Sequence, residues 1–329
     1  MPNIDVHCHT TPKAAWAELL SVANSDSRFA GRARAVTSRP EVCNDAQHIG
    51  ALDERIALMD EGHVDTEIVS STLLTAKFFD SAEFSTDVSR SINDELSEAG
   101  LRHTGRYRFF SNLPLPRVAP SIDELHRSSK LPGFSGVVVP TVFGLTFDDP
   151  QMDDFYSELA AMRGILFLHP GQMENGGRFS RLGMETGVGW PTTTSLSIME
   201  LIYGKVLDRF PDITVITPHL GGTLMYLLGR VDNGFHSQPA SERLSKEPPS
   251  WYMKRMYHDT VNFLHPALDM ARTIVGSDHI TLGSDFPWLC RDHMGACVEN
   301  VTTLDWPEEE LALVRGGNVE RLLKERALL

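Results

Sequence analysis

Asn3-Ile4-Asp5-Val6-His7-Cys8-His9 is a β-branched run that ends in two histidines. Side chains of a strand alternate between its faces, so His7 and His9 share one face at the strand's C-terminal end. Taken alone, a His-x-His pair is weak evidence for a ligand pair. Short apolar runs of the same kind recur along all 329 residues, at 66–72, 108–115, 136–141, 165–170, 214–219, 256–261 and 280–287. Segments of helical period separate them: 51–61, 86–103, 121–129, 151–163, 194–209, 221–235, 266–275 and 307–326. The first carries Leu52, Ile56 and Met59 on one face, and the third starts on Ser121 as an N-cap. Strands and helices alternating eight times predict an α/β chain folded as a (β/α)8 TIM barrel. A doubly wound parallel sheet is the alternative, because strand order is not written in the sequence.

Three connections, 10–48, 171–193 and 236–255, are too long for turns, and each follows a strand. A barrel puts all three at its catalytic mouth. The second is rich in glycine and carries Trp190, which suits a pocket wall or a lid. With no repeat, low-complexity tract or linker, residues 1–329 are expected to form a single domain.

A net charge of −14 and the lack of any Lys/Arg block argue against a nucleic-acid or anionic-membrane partner. No apolar run approaches the roughly 18 residues of a membrane helix. The first residues have neither a basic start nor an apolar signal core, so a soluble, cytoplasmic protein is expected. Cys8, Cys43, Cys290 and Cys297 form no Cys-x-x-Cys pair and read as small buried hydrophobes.

Further polar groups end other runs. His169 closes the fifth (Ile165-Leu166-Phe167-Leu168-His169), His219 the sixth (Thr217-Pro218-His219) and Asp285 the eighth (Gly283-Ser284-Asp285). Each falls where a barrel carries its chemistry. Burying these groups costs desolvation energy unless something pairs with them, and one cation satisfies the set. His7, His9, His169 and Asp285 are the expected metal ligands.

The set His-x-His, His-Pro, Pro218-His219-Leu220-Gly221-Gly222 and Gly283-Ser284-Asp285-Phe286-Pro287 resembles the amidohydrolase superfamily. Within it, the chain is similar to the branch of aminocarboxymuconate-semialdehyde decarboxylase and related aromatic-acid decarboxylases. Supporting motifs include Glu54-Arg55-Ile56-Ala57-Leu58-Met59-Asp60, Trp190-Pro191-Thr192-Thr193-Thr194, Leu207-Asp208-Arg209-Phe210-Pro211-Asp212, Gly229-Arg230-Val231-Asp232 and Gly316-Gly317-Asn318-Val319-Glu320-Arg321. They run in order over essentially the whole chain. The resemblance implies a metal-dependent, non-oxidative decarboxylase of an aromatic or muconate-like carboxylic acid. It implies one divalent metal, Zn or Mn, and no organic cofactor. The run 136–141 lacks the carboxylated Lys of two-metal relatives.

His219 then resembles the family's catalytic, non-ligand histidine, acting with Asp285; a fifth ligand or a structural histidine is the alternative. Arg230 resembles a carboxylate-binding arginine that reaches a neighbouring subunit's site, which implies a homodimer or higher homo-oligomer, although a helix-surface ion pair suits it equally. Arg55 and Trp190 are further candidates for substrate contact, and the charged context of Arg55 suits intrahelical pairing as well. Asp259, near the end of the seventh run, is placed to orient a ligand histidine. His103, His126 and His258 are expected to serve packing or the surface. Thr192 stands where the family often carries Glu. Two other readings remain: a metal-dependent hydrolase or hydratase on the same scaffold, and a non-catalytic partner subunit.

Overall fold

The computed structural model describes residues 1–25, 52–71, 82–171, 177–290 and 293–328. Eight parallel strands pair in sequence order: β1 (Ile4–Thr10), β2 (Thr66–Ser71), β3 (Tyr107–Asn112), β4 (Phe134–Pro140), β5 (Ile165–His169), β6 (Thr214–Thr217), β7 (Tyr257–Asp259) and β8 (Ile280–Thr281). The ring closes along the seam between first and last strands. There the Val6 amide donates to Leu282 O at 3.0 Å, the His9 amide to Phe286 O at 2.8 Å and the Asp285 amide to His7 O at 2.7 Å. All eight runs read from the sequence are strands of this (β/α)8 barrel, and the doubly wound order is excluded.

The register between β1 and β2 shifts between Asp5 and Cys8, a bulge that simple alternation does not foresee. Ile4 and Val6 pack in the cluster that holds Ile68, Phe110, Val138 and Phe167, against which Val319, Leu322 and Leu323 of the last helix also pack. The ring of His7 meets the ring of Phe167 from the same cluster, at 5.3 Å. Asp5 and Cys8 instead group with Glu67, beside the guanidinium of Arg55 from the helix Leu52–Glu61. The bulge therefore turns the parity of β1 by one residue just before the histidines, and Asp5 steadies it by accepting the His7 amide at 3.0 Å.

Most helices lie where their period placed them, with informative exceptions. Lys13–Ala23 is helical inside the connection expected to be a loop at 10–48, and Ala296–Thr302 is a helix the periodicity did not mark. The helix α6, Trp190–Tyr203 in chain order, begins four residues earlier than expected, because Pro191 fits the first helical turn, where no amide bond is lost. It ends at Tyr203, and Lys205, with a φ of 58°, separates it from Val206–Arg209. The fourth helix starts at Val118, so Ser121 is no cap: its hydroxyl bonds back to Arg117 O at 2.7 Å. Pro249–Met253 forms a short helix within the connection 236–255. Residues 26–51, with Cys43, lie outside the described residues; Cys8 and Cys297 are buried, and Cys290 is half-buried. Among the described residues no helix is long and apolar enough to cross a membrane.

The α6 start is wedged against the turn after β6. Gly222 has φ 68°, and a Cβ there would lie 2.2 Å from Pro191 O. The contact is extended by Ser195, whose hydroxyl accepts the Thr223 amide at 2.9 Å. Gly222→Ala is expected to cost roughly 1–3 kcal/mol from the backbone alone, with the clash adding to it. Urea or thermal denaturation reads the loss, and a variant as stable as the parent would contradict this packing.

Candidate metal centre

Four strand ends converge at the mouth of the barrel. His7 and His9 come from β1, His169 closes β5, and Asp285 follows β8. All four are buried, and one ligand atom from each lies within 4.8 Å of the others. Nε2 of His7 and Nε2 of His9 each stand 3.3 Å from Asp285 Oδ1, and Nε2 of His7 lies 3.1 Å from Nε2 of His169. Tetrahedral ligands held about 2.1 Å from one ion stand roughly 3.4 Å apart. The observed spacing is that of a preformed cation site.

The far side of each ring explains why Nε2 is the atom on offer. Nδ1 of His7 faces Asp259 Oδ2 at 2.5 Å, and Nδ1 of His169 faces Pro170 O at 2.9 Å. Both partners only accept, so both Nδ1 atoms donate, which leaves Nε2 as the nitrogen each ring can offer to a cation. Nδ1 of His9 is held by the Ser70 hydroxyl at 2.7 Å, while its buried Nε2, 3.3 Å from Asp285 Oδ1, makes no well-formed hydrogen bond among the described residues. Three Nε2 atoms turned towards one carboxylate oxygen fit a divalent metal. A close approach makes this possible: a Cβ on Gly283 would come within 3.0 Å of both His7 Cβ and Asp259 Cβ.

Charge in the cluster follows from burial and neighbours. Burial works against a charge on His7, but Asp285 and Asp259 outweigh it and push its pKa up to about 10. Burial lowers His9 to about 4 and carries His169 well below the ordinary imidazole value. For Asp285 burial favours the neutral acid, yet His7 and the bonds from His219, His7 and His9 hold the carboxyl well below the usual range. The metal-free site thus holds a proton on His7 where the ion would sit.

His219 is not a fifth member of the corner. It lies in the 3-10 turn His219–Gly221, and its Nε2 stands 3.4 Å from Asp285 Oδ2, the oxygen turned away from His7 and His9. Asp285 therefore faces two groups, one with each oxygen. His219 and Leu220 both lie in the left-handed region, with φ 52° and 56°, and Asp285 joins them at 53°. Such backbone costs roughly 1–2 kcal/mol per residue and persists where packing and hydrogen bonds over-determine it.

The other candidates divide. Asp259 is fully buried behind His7. Trp190 is half-buried at the start of α6, one residue from the Pro191 carbonyl that abuts Gly222, and its buried indole nitrogen has no acceptor among the described residues. Arg230 is exposed on the helix Leu224–Ser237 and makes no bond or ion pair among the described residues. Arg55 is a correction. It is 2% exposed, donates to His9 O at 2.7 Å, pairs with Glu67 at 3.0 Å and lies 4.4 Å from the centre of the Phe286 ring. Its charge is consumed behind β1, so it supports the site from outside and does not touch substrate. The nearby Asp5, Cys8 and Glu67 form a second group of donors, but Arg55 already supplies their cation.

Thr192 is half-buried, its hydroxyl on Val188 O at 2.7 Å. His258 is buried between Thr217 and Met253 O, whereas His103 and His126 pair with Asp53 and Glu158. Two residues were not foreseen: Ser70, next to the last residue of β2, and Ser284, just before Asp285, whose hydroxyl donates to Asp5 at 2.5 Å. Their position at strand ends was the available signal, and a hydroxyl is too common a residue to raise it.

With this geometry in place, comparison with known proteins is informative. The amidohydrolase family profile matches residues 4–324. The chain is 25% identical over 274 residues to 2-amino-3-carboxymuconate-6-semialdehyde decarboxylase of Dictyostelium discoideum, covering 82% of this chain and 76% of that one. It superimposes on 5-carboxyvanillate decarboxylase of Sphingomonas paucimobilis with a TM-score of 0.83 and 23% identity, over 98% of this chain and 99% of that one. A dihydroxybenzoic acid decarboxylase from a Polaromonas species, solved with bound manganese and 2-nitroresorcinol, gives a TM-score of 0.83 at 20% identity, over 100% of this chain and 99% of that one.

Because a metal ion must displace the His7 proton, affinity is expected to rise with pH, by on the order of tenfold per unit between roughly pH 6 and 9. Loading at neutral pH should release about one proton, measured by titration calorimetry in buffers of different ionisation enthalpy. An affinity independent of pH across that range would contradict the arrangement.

Proposed function

The chain belongs to the amidohydrolase family, and from that premise we propose that it is a metal-dependent, non-oxidative decarboxylase of aromatic or muconate-like carboxylic acids. The observation that carries the reading is Asp285, with one oxygen on the His7–His9 corner and the other on His219. His7, His9, His169 and Asp285 would hold one divalent ion, Zn or Mn, and manganese in the Polaromonas enzyme supports the latter. Three imidazoles and a carboxylate suit both ions. When bound, the ion supplies Lewis-acid stabilisation for the anionic oxygens of the substrate.

The chain's own residues account for the rest. The carbon–carbon bond to the carboxylate breaks, carbon dioxide leaves and the ring or alkene carbon gains a proton. His219 would deliver that proton, its imidazole held in direction by the 3.4 Å contact of Nε2 with Asp285 Oδ2. Its left-handed turn aims the side chain into the mouth. Trp190, at the start of the helix wedged against that turn, would line the substrate's face, its indole donor without an acceptor among the described residues. Residues 1–329 would act as one barrel unit in a cytoplasmic homo-oligomer.

The deciding experiment incubates metal-loaded protein with carboxylated phenols and muconates and follows product mass. Decarboxylation removes about 44 Da, whereas hydration or hydrolysis adds about 18 Da and would make the chain a hydratase or hydrolase on the same scaffold. His219→Asn is expected to keep its metal and lose on the order of 10²- to 10⁴-fold in turnover. Loss of the metal as well would make His219 a ligand, and unchanged turnover would remove it from the chemistry.

Arg230 lies 11 residues beyond His219 in sequence and six residues into the helix Leu224–Ser237, about 9 Å along the flank of its own barrel. Exposed and without an anionic partner among the described residues, it suits the site of a second subunit, where a guanidinium fork would take the substrate carboxylate. Subunit exchange between Arg230→Ala and His219→Asn homodimers should then restore activity towards roughly a quarter of the parent's, because each heterodimer keeps one intact site. Verified exchange without recovery would refute the shared site.

A further inference from the structure

Asp259 ends β7 and is fully buried, and its two oxygens serve different elements. Oδ2 accepts from Nδ1 of His7 at 2.5 Å. Oδ1 accepts the amide of Val261 at 3.0 Å and that of Leu220, the residue after His219, at 3.3 Å. The turn so held consists of His219, Leu220, Gly221 and Gly222, four successive residues with positive φ, two of them not glycine. Its other internal bonds run from the Gly221 amide to Pro218 O and from the Gly222 amide to His219 O. Among the described residues, the Leu220 bond to Asp259 is thus the hydrogen bond that ties this turn to β7.

We propose that Asp259 is a positioning residue with two separable tasks: one oxygen sets the tautomer of His7, and the other pins the left-handed turn that carries His219. The proposal rests on the metal-centre reading above. An ionised carboxylate only accepts, so His7 must donate from Nδ1 and keep its Nε2 lone pair for the corner it shares with His9, His169 and Asp285. The same carboxylate fixes how far His219 stands from that corner, since Leu220 cannot move without taking its neighbour along. Metal affinity and proton-transfer geometry consequently depend on one side chain that touches neither ion nor substrate.

Asp259→Asn tests the division, because a carboxamide has a single accepting end. With its oxygen turned to the Leu220 and Val261 amides, its NH₂ group donates to Nδ1 of His7 and forces the proton onto Nε2. Zinc affinity, measured by chelator competition, then falls about 10- to 100-fold, while the Leu220 amide keeps its protection from hydrogen exchange. With the amide turned the other way, zinc affinity holds, but Leu220 exchanges at least about tenfold faster and turnover drops. Either pattern supports the proposal. Zinc affinity and Leu220 exchange both within about twofold of the parent would overturn it.

Should the variant fail to fold, the zinc-loaded parent decides the matter through nitrogen-15 spectra of its histidines. His7 is expected to carry a proton on Nδ1 and to bind zinc through Nε2; ligation through Nδ1 would overturn the proposal. A parent chain that takes up no metal would sink the metal-centre reading itself, whereas a metal-binding parent with an unaffected Asn variant sinks this inference alone.

Discussion

The contact between Nε2 of His7 and Nε2 of His169, 3.1 Å apart among buried strand ends, is the interaction that the surrounding structure is built to tolerate. Two lone pairs at that distance would repel, so without an ion the pair depends on the proton that His7 holds. Every nearby device keeps the rings there nonetheless. Asp259, Pro170 and Ser70 hold the outer nitrogens, and Asp285 supplies the negative charge that a cation needs opposite it. The arrangement is costly as bare protein and favourable as soon as a divalent ion takes the place of the His7 proton.

A second electrostatic layer stands behind the first. Burial raises the Asp5 carboxyl to about 6 and that of Glu67 to about 7, and Arg55 opposes both shifts. The guanidinium also grips the His9 carbonyl and covers Phe286, so one residue from an outer helix braces the first strand against the chain that follows the last. An unpaired Glu67 in that position would be costly, since removing one partner of a buried ion pair typically costs about 3–5 kcal/mol. The charges behind β1 thus set the backbone, and the charges in front of it set the chemistry.

How much of this was legible in the sequence depends on the kind of signal. Strand runs and their terminal histidines and aspartate stood out, because a polar group ending a buried apolar run has few reasons to be there. The left-handed turn was partly announced by Gly221-Gly222. The bulge in β1 was invisible: Ile4 through His9 alternates acceptably in either parity, and only the partner strand reveals the slip. Arg55 misled for a related reason, since an arginine on an amphipathic helix reads as exposed until a buried glutamate is found on the facing strand. The helix at Lys13–Ala23 was hidden because it has neither an acidic first turn nor a basic last turn, and its N-cap is Pro12 without a side-chain cap.

The seam that closes the barrel has a consequence for how the molecule comes into being. Two ligands lie on the first strand and the fourth lies just past the last, joined through backbone bonds between His7 and Asp285 and between His9 and Phe286. A growing chain therefore makes its histidine pair 276 residues before the carboxylate that completes the set. The ion would act as a clasp on that join, fastening the first strand of the barrel to the last. Capture of metal would then report that the circle is complete, and its release would loosen the fold first along the seam between those two strands.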